Sequence, residues 1–171
     1  MNIPTLRSER LSLVPLQDTD AAVLHRIYQS EGVLRYFPNP VPPPLEKVKR
    51  FIAEQADHWE KFGYGNWGIL PAGANQIAGW AGLQYLPELH ETEAGFLLDK
   101  PFWGLGYASE AARLSLEFAA RELQLDHIIA LVHPENLASR RVIEKNGFLY
   151  AETIHLWGID LMRYCKDDGA S

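Results

Sequence analysis

Two stretches of this chain hold residue types at spacings that can do chemistry. The first is an apolar run, Ala94 to Leu98, followed by Trp103-Gly104-Leu105-Gly106-Tyr107-Ala108-Ser109-Glu110. Gly104 and Gly106 let a backbone approach a ligand closely and adopt φ values closed to other residues. The helix expected from Tyr107 presents unpaired N–H groups and a positive dipole end. Together these features make an anion site suited to phosphate or pyrophosphate, and Ser109 adds a hydroxyl donor. A tight strand-to-helix turn explains the same glycines, so both readings stay open on this loop alone. Two nucleotide loops fit poorly. The P-loop needs Lys after its last glycine, where Tyr107 stands. The dinucleotide fingerprint needs Gly or Ala three residues after its second glycine, where Ser109 stands.

The second stretch is His133 to Phe148. Asn136 is placed to cap a helix, and Gly147 follows that helix as a C-terminal glycine with Lys145 in the last turn. Ser139 lies in the first turn of this helix. Glu110, in the first turn of the earlier helix, favours its dipole and needs no further role.

These stretches must be carried by a scaffold. Leu11 to Leu16 reads as a first strand, and Asp18 or Thr19 caps a helix through Ser30. Phe37 to Pro44 holds Pro38, Pro40, Pro42, Pro43 and Pro44. It is a loop, either a stiff connector or a substrate-side lid. Val48, Phe51, Ile52, Gln55 and Trp59 mark a helix from Leu45. Strands follow at 67–70, 76–85 and 92–98, then a helix at 107–123, a strand at 127–132 and a helix at 137–146. Strands at 148–155 and 159–164 close the chain around a turn at Trp157-Gly158. The order predicts an α/β fold, with a mixed central sheet of about six to seven strands and helices on both faces.

The length of 171 residues and the absence of an internal linker predict one domain spanning 1–171. Sixteen Lys and Arg against 22 Asp and Glu leave a charge of −6, which argues against nucleic acid or an anionic membrane as partner. Cys165 is the single cysteine, and the six His show no HExxH spacing, so no metal site is expected. The first residues lack a signal peptide's basic and apolar regions, and no apolar run reaches the roughly 18 residues of a span. The expectation is a soluble, cytoplasmic protein.

Taken together, the two stretches resemble the GNAT acetyltransferases, and more narrowly the branch holding the ribosomal-protein N-terminal acetyltransferases. The resemblance also takes in Thr5 to Leu13, Gly65 to Ile69, Ile77 to Gly79 and the Trp157 to Asp160 hairpin. It implies the GNAT fold and acetyl-CoA as acyl donor, with no metal. By resemblance, the loop of Trp103, Gly104, Leu105, Gly106, Tyr107, Ala108 and Ser109 binds the pyrophosphate, with Trp103 in place of the usual polar first residue. The strand ending at Leu98 splays from its neighbour and pairs with the pantetheine arm, Asn136 touches the same arm, and the Leu98 amide serves as oxyanion donor.

The implied reaction moves an acetyl group to a primary amine, either a protein N-terminus or a small molecule, by direct attack in a ternary complex. Ser139 is the candidate acid near the sulfur, because Ile143 stands where many members carry a Tyr. Glu93 is the candidate base, with His90 and Glu91 as rivals. Acceptor specificity falls to the first two helices and the proline-rich loop, with Tyr36, Phe37, Trp67 and Tyr85 as cleft residues. The protein is expected as a monomer or homodimer. A non-catalytic acyl-CoA-binding or regulatory module on the same fold is the alternative. Nucleotide-dependent phosphotransfer is a third class, opposed by the missing P-loop Lys.

Overall fold

A computed structural model describes residues 1–167; residues 168–171 of the expected 1–171 span lie outside the described residues. The strands are β1 (Leu6–Arg7), β2 (Leu11–Val14), β3 (Asn66–Pro71), β4 (Gly79–Leu86), β5 (Glu91–Leu98), β6 (His127–Val132), β7 (Leu149–Leu156) and β8 (Ile159–Asp167). The helices are α1 (Ala21–Gln29), α2 (Leu45–Phe62), α3 (Tyr107–Arg121) and α4 (Leu137–Lys145). The strands form one sheet in the order β1-β2-β3-β4-β5-β6-β8-β7.

Eight strands replace the expected six to seven. The addition is β1, whose two residues pair with β2 through Leu6 opposite Leu13 and Arg7 opposite Ser12. A strand that short shows no alternation of its own, so only its partner reveals it. The Trp157-Gly158 turn is as expected: both residues have positive φ, 53° and 82°, as a two-residue type I′ hairpin requires.

Neighbouring strands are antiparallel except β5 with β6, which run parallel. A parallel pair needs a long crossover, and α3 supplies it. Helices cover both faces. Trp67, Ile69, Ala81 and Leu83 pack toward Ala111, Leu114 and Ala119 of α3. On the other face, Ile77 and Leu97 pack against Leu24 and Ile27 of α1 and Val48 and Ile52 of α2. Buried Ala111, Ala112, Ser115 and Ala119 let α3 lie close to the sheet. Among the described residues no helix is long and apolar enough to cross a membrane.

Candidate active site

The glycine loop is built by short-range geometry. After β5, Asp99 accepts a hydrogen bond from the Lys100 amide at 3.0 Å and starts a 3-10 turn over Lys100–Phe102. The chain doubles back, and the Trp103 indole donates to the Leu98 carbonyl at 2.7 Å. Gly104 and Gly106 then adopt left-handed φ values of 72° and 83°. Gly106 caps α3, and its carbonyl accepts the first helical bond, from Glu110 N at 3.1 Å. The amides of Tyr107, Ala108 and Ser109 precede that bond, so no turn of helix lies behind them to take their hydrogens. Their dipole end faces a cavity of about 530 Å³ lined by Gly104, Gly106, Ala108 and Ser109.

Arg10 holds this loop from the far end of the sequence. Its Nη1 donates to the Leu105 carbonyl at 2.7 Å, its Nε meets Glu110 Oε2 at 2.8 Å, and its guanidinium lies 4.6 Å over the Tyr107 ring. Ser8 Oγ donates to the other Glu110 oxygen at 2.7 Å. Burial pushes the Glu110 carboxyl up, but the bonds from Ser8 and Arg10 outweigh it and hold the group below its ordinary value. Glu110 is therefore a fixed anion that anchors Arg10. Arg35, Lys100 and Arg141 line the large cavity with one carboxylate, Glu31, a local excess of positive charge in a protein whose net charge is −6.

Between β5 and β6 the sheet opens. Their register is a single pair, Glu93 opposite Ile129. Leu98 sits opposite Gly79, and the Asp99 amide bonds Ala78 O at 2.7 Å. By antiparallel alternation, the amides of Phe96 and Leu98 point away from β4 into the opening. The Leu98 carbonyl is engaged by Trp103, so its amide is the group left there.

A second cavity, of about 320 Å³, lies beside the first. Tyr36, Phe37, Phe96, Asn136 and Ser139 line both, so the two meet at the opened strands. Leu98 lines only the larger cavity and Glu93 only the smaller. Asn136 caps α4 by accepting from Ser139 N at 3.2 Å. Its cap role and its place on the cavity wall coexist. Ser109 lines the larger cavity while its Oγ accepts from Asn146 Nδ2 at 3.3 Å, tying α3 to α4.

Glu93 lies on the α1/α2 face with no hydrogen-bond partner among the described residues, and burial with the nearby Glu88 charge pushes its carboxyl up to about 8. Its rivals are placed elsewhere. Glu91 is engaged by Arg163 and by His127; burial raises it, but these partners prevail and lower it. His90 contacts the exposed Tyr85 hydroxyl at 3.4 Å and lines neither cavity. Two of the four expected cleft residues, Tyr36 and Phe37, line the cavities. Trp67 and Tyr85 do not, because they share the sheet face of Ala81 and Leu83, which turns toward α3. Ile143 is 2% exposed, borders the smaller cavity and has no proton to offer. Arg10, Arg35, Phe96, Lys100 and Arg141 are not singled out by the sequence, because their places depend on tertiary contacts.

Residues 10–149 match the family model described as "Acetyltransferase (GNAT) domain". A relative from Bacillus subtilis (strain 168), "Uncharacterized N-acetyltransferase YnaD", is 31% identical over 143 residues, covering 83% of this chain and 81% of its own. A solved acetyltransferase from Agrobacterium tumefaciens matches with a TM-score of 0.82 at 28% identity, over 98% of this chain and 96% of that one. The structure of the ribosomal L7/L12 alpha-N-protein acetyltransferase RimL in complex with coenzyme A has a TM-score of 0.83 over 98% of this chain and 100% of that one. At 19% identity it shows a shared fold alone.

Proposed function

The chain belongs to the GNAT acetyltransferases, and on that premise we propose that it moves an acetyl group from acetyl-CoA to a primary amine at the meeting point of its two cavities. The observation that carries this reading is the shared wall. Phe96, Asn136 and Ser139 line both cavities where β5 parts from β6.

Acetyl-CoA supplies the thioester carbonyl. The amides of Tyr107, Ala108 and Ser109 receive the pyrophosphate, with Lys100, Arg35 and Arg141 as further cations on the wall. Each charge-assisted bond of this type is worth roughly 1.5–3 kcal/mol. Leu98 and Asn136 hold the pantetheine arm. Phe96 takes the oxyanion role expected of Leu98: its amide points into the opening, and it alone of the two reaches both cavities. A donor aimed where charge develops does most for the rate. Glu93, in the smaller cavity, removes the proton that the attacking amine sheds. Ser139 passes a proton to the departing sulfur and recovers one from solvent. The C–N bond forms as the C–S bond breaks, the thiol leaves protonated, and no covalent enzyme intermediate is needed.

Acetyl-CoA binding by calorimetry, followed by thiol release with a panel of amines, tests the reading. Absence of binding ends it. Binding without turnover on any amine favours the non-catalytic module, for which Ile143 in place of a Tyr acid is the supporting observation.

Ser139→Ala is expected to lower kcat about 10- to 100-fold with little change in acetyl-CoA affinity, since the cap on the Ser139 amide survives. An unchanged kcat removes Ser139 from the reaction. Arg10→Ala is expected to raise the Kd for acetyl-CoA about tenfold, because the Leu105 carbonyl loses a bond worth at least about 1.4 kcal/mol. The KM for the amine is expected to stay within twofold. A matching rise in both constants would mean general damage instead of a local effect on the loop.

A further inference from the structure

The smaller cavity carries information about the acceptor that the family assignment does not. Among the described residues its titratable lining side chains are Tyr36, Glu93 and His133, with no Lys, Arg or Asp. An acceptor bearing a carboxylate would find no guanidinium or ammonium on these walls, and a polyamine would find a single carboxyl on them, Glu93, with Glu88 nearby. The walls are aromatic. Phe51 and Trp80 sit with ring centroids 5.9 Å apart, and the Trp80 indole is fixed by donating to the Tyr28 hydroxyl at 2.9 Å. Phe37 and Trp157 complete the apolar wall. The volume, about 320 Å³, is at the small end of ligand sites.

Gly95 lies on the cavity wall beside Trp80 and Glu93. A Cβ at this position would stand 3.6 Å from the Trp80 ring and 3.9 Å from Glu93 Oε1. The missing side chain leaves a notch between an indole and a carboxyl, the two groups that receive an ammonium or amine.

We propose that the acceptor is a small apolar monoamine of the phenylalkylamine type, without a carboxylate, whose amine occupies the notch at Gly95 between Trp80 and Glu93. The inference rests on the acetyl-transfer reading and narrows it. The ring lies along Phe51 and Phe37. The amine nitrogen forms the C–N bond to the acetyl carbon as the C–S bond breaks. One amine proton leaves through Glu93 and the thiol takes up one proton, so the products are the N-acetyl amine and CoA.

The test compares 2-phenylethylamine with phenylalanine, spermidine and an alanyl tripeptide at fixed saturating acetyl-CoA. Phenylalanine has the same skeleton plus a carboxylate. The expected result is a kcat/KM for phenylethylamine at least tenfold above each of the others. Gly95→Val is expected to raise the KM for phenylethylamine at least tenfold while the Kd for acetyl-CoA stays within twofold. If Gly95→Val does not fold, Gly95→Ala carries the test, because its methyl meets only ordinary van der Waals contacts; a two- to fivefold rise is expected. Equal or better turnover of phenylalanine, spermidine or the peptide overturns the inference and leaves acetyl transfer standing, as does an unchanged KM in the Gly95 variants. Failure of the native protein to bind acetyl-CoA removes both.

Discussion

Glu93→Gln is expected to lower kcat by about 10²- to 10³-fold at pH 8, within the range ascribed to a positioned general base. Glu93 lines the smaller cavity without a hydrogen-bond partner among the described residues, and its carboxyl is pushed up to about 8 by burial and then by Glu88. The native enzyme should therefore gain activity as pH rises through 8, where the carboxylate becomes available to take a proton. Glutamine keeps the shape and cannot ionise, so the limb near pH 8 should vanish and leave only the amine's own titration. A pH profile of kcat/KM for native and variant enzymes checks this. A limb at pH 8 that persists in Glu93→Gln assigns it to another group.

The same substitution has an opposite effect on stability. The folded carboxyl titrates near 8, against an ordinary value of 4.5. Between those values the folded protein holds a proton that the unfolded chain has released. Native stability therefore falls as pH rises across this window, and the penalty is complete above 8. Glutamine carries no such penalty. The Tm of Glu93→Gln should match the native value below pH 4.5 and exceed it at pH 9. Activity lost and stability gained in one variant is the signature of a group held for chemistry. A structural carboxylate would lose both.

How far the letters disclosed this site follows from the range of each interaction. The glycine loop is local. Gly104, Gly106 and the start of α3 lie within a few residues, so spacing alone marked them, and the structure gives both glycines left-handed φ. Arg10 acts on Leu105 from ninety-five positions away, and no local pattern signals such a bond. Glu93 shares its candidacy with His90 and Glu91 because all three lie within four residues at the start of β5. Tertiary pairing separates them: Glu91 is engaged by Arg163 and His127, and His90 turns to Tyr85. Trp67 and Tyr85 were expected in the cleft on residue type. Pleat parity sets their face, and parity between strands is fixed by register, which one sequence does not display. Leu98 is the oxyanion donor that the resemblance implies, and the Phe96 amide points the same way. Only the shape of the two cavities distinguishes them.

Gly106→Val should weaken acetyl-CoA binding at least 100-fold. Gly106 has φ of 83°, a region closed to β-branched residues at a cost of about 1–3 kcal/mol. Its added Cβ would stand 3.0 Å from Arg10 Nη2. Strain and contact act on the same few atoms: the cap of α3 must rotate, and Arg10 must yield its hold on the Leu105 carbonyl. Rotation of the cap turns the amides of Tyr107, Ala108 and Ser109 off a common target. Losing two charge-assisted bonds of roughly 1.5–3 kcal/mol each lowers affinity by 10² or more. Strain alone makes no such prediction, and Gly73 supplies the comparison. It has φ of 77° in the turn after β3, with open space around its missing Cβ. Gly73→Val should lower Tm and leave the Kd for acetyl-CoA unchanged, whereas Gly106→Val should change Kd far more than its Tm shift explains. Calorimetry on both variants at one pH and ionic strength decides the matter, because phosphate contacts weaken with salt. If the two variants bind acetyl-CoA equally well, the Gly104–Gly106 loop is a turn and the pyrophosphate lies elsewhere.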